Sequence, residues 1–142
     1  MIDDILSNPY NIAGALILPC FVAYLVWRNN YKTCHATTSA AFRAAFADAF
    51  LRLTASGEAT SIIIFQNHNG HLAAIIAFRP YVAWYRRRSF ESAANEYSLQ
   101  ANIQQAKGPL EALAFDFTSE AQSQRAALLA SIKKLLNHAS AT

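Results

Sequence analysis

The residues best suited to chemistry in this chain are arginines and aromatic side chains between positions 79 and 88. The group consists of Arg79, Trp84, Tyr85, Arg86, Arg87 and Arg88. Arginines bind phosphates and carboxylates, and aromatic rings stack on bases or enter the headgroup layer of a membrane. The segment is therefore a candidate surface for a protein partner or for anionic lipid headgroups, with nucleic acid as a third candidate ligand. A solvated turn whose aromatic side chains pack inward is the alternative.

Two histidines could contribute to a metal site. His68 and His71 are three residues apart, so a helix would place both on one face and provide half of a site. The remaining ligands would have to come from Cys34 and His35, far away in sequence, and no spacing typical of a metal site joins them. We therefore predict no metal site and interpret both histidines as polar residues of a bend.

The sequence contains no pattern typical of a catalytic site. Cys34 and His35 are adjacent, so in a regular element their side chains would point apart. The chain has four glycines, without a Gly-rich phosphate loop, a nucleophile elbow or a framed pair of carboxylates. We predict no catalytic residue, no cofactor and no small-molecule substrate, which favours a role other than that of an enzyme.

An apolar segment near the start of the chain would position these residues in the cell. Residues 12–27 are almost continuously apolar. With Tyr10 and Tyr31 at its ends, the segment would span about 32 Å as a helix, against roughly 30 Å of bilayer hydrocarbon. Aromatic residues at both ends are typical of membrane interfaces. We therefore predict that residues 1–33 form a transmembrane anchor, kinked at Pro19.

Charges beside the apolar segment predict its orientation. Two aspartates precede it, and Arg28 and Lys32 follow it. Because excess lysine and arginine mark the cytoplasmic side, the N-terminus should lie outside the inner membrane and residues 34–142 should form a cytoplasmic domain. A cleavable signal peptide and a lipoprotein are the alternatives. The acidic start and the apolar residues after Cys20 count against both.

Composition indicates one small, mainly helical domain after the anchor. The chain has 142 residues, of which 54% are hydrophobic, and many of these are alanines, which favour helix. Ten basic and seven acidic residues follow Lys32, so the net charge of +3 lies on this domain. That excess suits an anionic lipid surface better than nucleic acid. The two cysteines give no disulfide framework, which fits a reducing cytoplasm.

Apolar spacing predicts that this domain is a helical bundle. Four residues recur at spacings of four, four and three, as expected for one buried helix face: Phe42, Phe46, Phe50 and Leu53. The polar residues 29–39 predict a break before this helix. Residues 86–105 and an apolar stripe in residues 128–136 predict two further helices.

Residues 62–78 are compatible with two structures. The segment begins with β-branched residues, and Asn69-Gly70 could form a hairpin turn, which would make the domain α+β. Neither arm alternates apolar and polar residues, however, and the residues after the turn recur at helical spacing. We therefore predict two helical segments with a bend at residues 67–70, and an all-α domain, with the hairpin at 62–78 as the alternative.

Two segments, residues 74–79 and residues 87–97, resemble a pattern in uncharacterised bacterial proteins. Those proteins show an apolar pair followed by Phe-Arg, and later Phe-x-x-Ala-Trp-x-Glu-Tyr. This chain has Ala94 where tryptophan is usual. The resemblance implies an N-terminal hydrophobic segment, a small helical domain and no known activity. We also predict, as a hypothesis, an ion pair between Arg79 and Glu96.

These observations predict a single-pass membrane protein of the inner membrane. Its cytoplasmic domain is interpreted as a non-catalytic interaction or scaffold module that binds a protein partner. The alternative function is a peripheral module that binds anionic lipid, or nucleic acid, through residues 79–88.

Overall fold

A computed structural model describes residues 9–55, 57–106 and 119–140, with side chains from residue 17 to residue 139 of these ranges. All regular structure in them is helical, in the order α1 (Pro9–Ala55), α2 (Thr60–Phe78), α3 (Arg87–Ala106) and α4 (Ser119–Ser140). Two 3₁₀ turns, Arg79–Tyr81 and Trp84–Arg86, connect α2 to α3. The prediction of an all-α fold is confirmed, and the alternative of a hairpin at 62–78 is wrong.

The chain divides into two units, residues 1–37 and residues 38–142. In the first unit, Pro19 lies inside α1 without ending it, and Cys20 and Cys34 are exposed free thiols. Many long hydrophobic side chains of this unit are exposed: Ile17, Leu18, Phe21, Val22, Tyr24, Leu25, Val26, Trp27 and Tyr31.

In the part of the chain that the structure describes, no helix combines the length and the apolar character needed to cross a membrane. Residues 1–8 of the predicted anchor, and the side chains of residues 9–16, lie outside the described residues. The anchor therefore stays a prediction.

The break predicted at residues 29–39 is wrong, because α1 continues through them. Thr33 donates from Oγ1 to the carbonyl of Asn29 at 3.0 Å, and Thr37 donates to the carbonyl of Thr33 at 2.9 Å. A threonine that bonds to the carbonyl four residues earlier fits within a helix instead of competing with it. The polar character of this segment therefore reflects exposure and not a change of backbone conformation.

The core of the second unit is built from one face of each helix. Phe42 and Phe46 of α1 are buried as their spacing predicts, and so is Leu53, while Phe50 is partly buried. The stripe of α4 is buried at Leu128, Ile132 and Leu135. Each fully buried side chain of this kind contributes roughly 1.5–3 kcal/mol relative to exposure, so these faces hold the bundle together.

Three phenylalanine rings link different helices at the centre of this core. The ring centroid of Phe42 in α1 lies 4.7 Å from that of Phe78 in α2 and 6.2 Å from that of Phe90 in α3. Phe78 and Phe90 meet edge to face at 5.8 Å. Contacts of this geometry are favourable beyond the area they bury, and they fix α3 relative to α2.

The bend predicted at residues 67–70 is also wrong, because α2 is one continuous helix. Asn67 donates from its side chain to the carbonyl of Ile63 at 2.9 Å, along the helix. The helix ends at Phe78, just before a 3₁₀ turn that contains Pro80. Proline lacks the backbone N–H that would continue the hydrogen-bond pattern of the helix, which explains this end point.

The predicted ion pair between Arg79 and Glu96 is wrong, since each residue has a different partner. Arg79 donates from Nε and Nη2 to Glu91 at 3.0 and 2.6 Å. Glu96 accepts from Lys134 at 2.8 Å on both of its oxygens, and this pair joins α3 to α4. The sequence indicated that these side chains are charged but could not select their partners.

Arg125 of α4 closes the C-terminal end of α1. It donates to the carbonyls of Arg52, Leu53 and Glu58 at 3.0, 2.7 and 3.1 Å. The last carbonyls of a helix have no partner within it, so they require a donor from elsewhere. A single guanidinium therefore satisfies two of the last carbonyls of α1 and one carbonyl of the segment that leads to α2.

Candidate functional site

The exposed side chains at the junction of α2 and α3 form a surface that we call the Trp84–Arg88 surface: Trp84, Tyr85, Arg87 and Arg88. Trp84 is 84% exposed and Tyr85 is 70% exposed. Their rings meet edge to face with centroids 6.0 Å apart. The alternative in which the aromatic side chains pack inward is therefore wrong for these two residues.

The backbone of the junction is fixed by short hydrogen-bonded turns and by one apolar side chain. Val82 is buried, and its N–H donates to the carbonyl of Arg79 at 3.3 Å. The N–H of Arg86 donates to the carbonyl of Ala83 at 2.9 Å. Val82 and the partly buried Tyr81 supply the inward packing, which leaves Trp84 and Tyr85 on the outside.

The four arginines predicted as part of a surface fall into three environments. Arg79 is exposed but paired with Glu91, as described above. Arg86 is half-buried, and its Nη2 donates to the carbonyl of Asn137 near the end of α4 at 3.4 Å. Arg87 and Arg88 are exposed, and neither forms an ion pair with any residue that the structure describes.

A groove of about 580 Å³ lies between α3 and α4, next to this surface. The residues that line it are Tyr85, Arg86, Ser89, Ser92, Ala93, Glu96, Lys134, Asn137 and His138. Sequence analysis did not identify the residues on the two sides of this groove. Lys134 and His138 are four residues apart in α4. In α3, Ser89, Ser92 and Glu96 recur at helical spacing. Polar residues at such spacing share one helix face, and this signal could have identified the two sides of the groove.

His138 lies at one end of the groove with a perturbed pKa. Burial lowers the pKa of its imidazole, and the positive charge of Arg86 lowers this pKa further. Its ring meets Phe90 edge to face at 5.6 Å, and its Nε2 lies 3.5 Å from the hydroxyl of Ser89. Its buried Nδ1 has no hydrogen-bond partner among the described residues.

His71 lies inside the core and not in a bend. The ring of His71 stacks on Phe46 with centroids 4.1 Å apart, and its Nδ1 is hydrogen-bonded to the hydroxyl of Tyr97. Burial lowers the pKa of His71 to about 4. Burial raises the pKa of Tyr97, so its phenol stays protonated.

His68 and His71 are both buried, as two residues on one helix face would be. Cys34 and His35, which were weighed as further metal ligands, belong to the other unit of the chain. No group of three or more potential metal ligands occurs among the residues that the structure describes. His71 instead acts as a stacked, hydrogen-bonded member of the core.

These features define an all-α domain with an exposed aromatic and basic turn and a charged groove beside it. Comparison with known proteins finds no matching family model, no matching curated protein and no matching solved structure. The resemblance to uncharacterised bacterial proteins stays a prediction.

Proposed function

We propose that this chain is a membrane-anchored, non-catalytic interaction module that binds an acidic protein partner through the Trp84–Arg88 surface. The observation that carries the proposal is the exposed ring of Trp84 beside two exposed arginines, Arg87 and Arg88. Tryptophan, tyrosine and arginine are the residues most enriched where binding energy concentrates. An acidic partner would cover the rings and neutralise the arginines.

The fixed backbone of the junction supports this role. Because buried Val82 holds the turn, the rings of Trp84 and Tyr85 are presented in a defined arrangement before any partner binds. Preorganisation lowers the entropy cost of ordering side chains at an interface. A small surface of this kind can therefore bind selectively although it has few residues.

The proposed anchor is residues 1–33, with the N-terminus outside and the domain at 34–142 on the cytoplasmic side of the inner membrane. Its support is the apolar run 12–27 together with the exposed hydrophobic side chains between Ile17 and Tyr31. Exposed apolar area of this extent is unfavourable in water and favourable in lipid. Arg28 and Lys32 after the run support the orientation.

Anionic lipid headgroups are the second candidate ligand of the same surface. The observation that favours them is that Trp84 and Tyr85 are exposed directly before Arg87 and Arg88. Aromatic rings enter the headgroup layer while arginines contact lipid phosphates, so the same side chains could bind a membrane.

Site-specific photo-crosslinking in the full-length, membrane-resident protein separates the two ligands. A photoreactive phenylalanine replaces Trp84, and the matched control replaces Leu99, which is 61% exposed on α3 outside the surface. We expect a discrete protein adduct from position 84 that disappears when Arg87→Glu and Arg88→Glu are added. Adducts with lipid alone would support the second candidate. Identical adducts from positions 84 and 99 would contradict both.

Carbonate extraction tests the anchor. A protein with a transmembrane helix stays in the membrane pellet at high pH, whereas a peripheral protein is released. We expect the full-length chain in the pellet, at its full length by mass spectrometry. Release into the supernatant, or loss of the first thirty or so residues, would contradict the proposed anchor.

A further inference from the structure

We propose that the groove between α3 and α4 is a binding site for a phosphate group, carried either by a soluble phosphate ester or by a lipid headgroup. This inference does not rest on the proposed function. Of the Trp84–Arg88 surface the described lining of the groove shares only Tyr85. Arg86 comes from the 3₁₀ turn before α3, and the other described lining groups come from α3 and α4.

The charges of the groove favour an anion. Arg86 and Lys134 are cationic, and Glu96 is the only carboxylate among the lining residues that the structure describes. Lys134 binds both oxygens of Glu96 at 2.8 Å, so this pair has no net charge. Over the described lining residues, Arg86 and Lys134 against Glu96 give a net charge of +1 while His138 is neutral. Because the pair is about half exposed, water screens it and an anion can compete for Lys134.

Two serine hydroxyls and the N-terminal N–H groups of α3 add to the attraction of the groove for a phosphate group. Ser89 and Ser92 are exposed and line the groove, and serine hydroxyls are common donors to phosphate oxygens. Ser89 lies in the first turn of α3, where the N-terminal N–H groups favour negative charge. The carbonyl end of α4 acts in the opposite direction. Arg86 already donates to Asn137 there through a long bond of 3.4 Å, which a phosphate oxygen could replace.

The size and polarity of the groove indicate the class of ligand. Its volume of about 580 Å³ exceeds that of a phosphate ion and lies within the usual range of small-molecule sites, roughly 300–1,000 Å³. Apart from Tyr85 and Ala93, the lining side chains are polar or charged. The groove therefore suits the phosphate ester of a small polar alcohol, a chemistry that glycerol phosphate shares with phospholipid headgroups.

Two neighbouring lysines provide a matched test. Lys134 lines the groove, whereas Lys133 lies with Nζ 5.9 Å from the centroid of the Phe50 ring and does not line it. The full-length chain in a phosphate-free nonionic detergent is titrated calorimetrically with inorganic phosphate and with glycerol 3-phosphate. We expect saturable binding that Lys134→Gln weakens about fivefold or more and that Lys133→Gln changes less than about twofold. Equal effects of the two substitutions, or no saturable binding, would overturn the proposal.

A substitution that strengthens phosphate binding gives a second test, because a misfolded variant would bind phosphate less tightly. Glu96 competes with the ligand for Lys134, so Glu96→Gln should tighten phosphate binding about threefold or more. Its matched control is Glu91→Gln, which removes the partner of Arg79 outside the groove and should leave binding unchanged. Unchanged or weaker binding by Glu96→Gln would contradict a phosphate between Arg86 and Lys134.

Vesicles identify the source of the phosphate. The full-length chain, reconstituted in neutral nanodiscs, is mixed with vesicles containing phosphatidic acid or phosphatidylglycerol. Binding of glycerol 3-phosphate that depends on Lys134 supports a soluble ester. Vesicle binding that depends on Lys134 and not on Arg87 supports a headgroup in the groove. Vesicle binding that depends only on Arg87 and Arg88 would assign lipid to the Trp84–Arg88 surface and overturn the headgroup source.

Discussion

At the scale of single residues, His71 shows how one buried side chain can make stability depend on pH. Its imidazole stacks on Phe46 and is hydrogen-bonded to the Tyr97 hydroxyl, in a buried site that favours the neutral form. Neutral histidine in the core is compatible with this packing, whereas a charged imidazolium there would be poorly solvated. Acid therefore favours the unfolded chain.

We predict that the free energy of unfolding falls as the pH is lowered from about 6.5 to about 4. In the unfolded chain His71 takes up a proton below its usual pKa of 6.5, while in the folded chain its pKa is about 4. The unfolded state thus binds more protons within this window, and stability rises with pH there. The expected contribution is about 3 kcal/mol, lost progressively towards pH 4. Urea unfolding followed by circular dichroism measures it.

The control for this prediction is His71→Phe, which retains a ring on Phe46 but cannot titrate. At pH 7.5 the variant should be less stable by about 1–3 kcal/mol, because the buried Tyr97 hydroxyl loses its hydrogen-bond partner. Between pH 6.5 and 4 its stability should change less than that of the wild type. The pKa of His138 is also lowered, but His138 is present in both proteins, so its contribution to the pH dependence cancels in the comparison. Parallel pH profiles would contradict the assignment.

A second residue-scale prediction contrasts an exposed ring with a buried one. Trp84→Ala should change the free energy of unfolding by less than about 0.5 kcal/mol, because the ring is 84% exposed. Phe90→Ala should lower it by about 3–5 kcal/mol, because Phe90 packs on Phe42 and Phe78. Chemical denaturation compares the two. A loss above about 1 kcal/mol for Trp84→Ala would mean that the fold covers this ring.

At the scale of secondary-structure elements, α2 shows why the sequence pattern predicted helix for this segment but not one continuous helix. Ile63 and Ile64 of this helix are buried, whereas Phe65 and Ile76 are strongly exposed. Apolar residues thus occur on both the inner and the outer side, and this blurs the helical period that pattern analysis needs. The neighbouring pair Asn69-Gly70 then resembled a turn, although the backbone there is helical.

Glycine at position 70 gives a direct test of the continuous helix. A Cβ at Gly70 would meet no atom within 4 Å, and no described glycine has a positive φ angle. Gly70→Ala should therefore raise the free energy of unfolding by about 0.5–1 kcal/mol, because alanine loses less backbone entropy. Thermal or urea unfolding measures the gain. A loss of stability would indicate a bend at 67–70 in place of a helix.

Arg125 joins α4 to the end of α1 through hydrogen bonds. Arg125→Met removes the donors to the carbonyls of Arg52, Leu53 and Glu58, and we expect a loss of about 2–4 kcal/mol in the free energy of unfolding. Arg125→Lys should recover only part of it, since an ammonium cannot reproduce the planar fork. Arg87→Met, at an exposed position, is the control and should change stability by less than about 0.5 kcal/mol. Equal effects of Arg125→Met and Arg87→Met would contradict this role.

At the scale of the whole molecule, sequence patterns predicted the buried faces better than the connections. The stripes around Phe46 and Leu128 were predictable because a strong helical period coincides with burial. The continuity of α1 was not, since the threonine-rich segment 29–39 has the composition of a connection while its hydroxyls bond within the helix.

The candidate site likewise has one part that the sequence could predict and one part that it could not. The exposed residues of the Trp84–Arg88 surface were predictable because they lie within five positions of the sequence. The groove was not, because Glu96 and Lys134 meet only through the packing of α3 on α4. Partners that are 38 residues apart leave no local signal, so charge alone could not distinguish Glu91 from Glu96 as the partner of Arg79.

The placement of Cys20 and Cys34 has a practical consequence for the second unit, residues 38–142. Both thiols lie before residue 38, and the sequence from there to its last residue contains no sulfhydryl. Oxidants and reductants therefore have no cross-link to make or break in the bundle, and its cohesion is independent of redox potential. A cysteine introduced at position 84 would be the sole site in that unit for a maleimide dye.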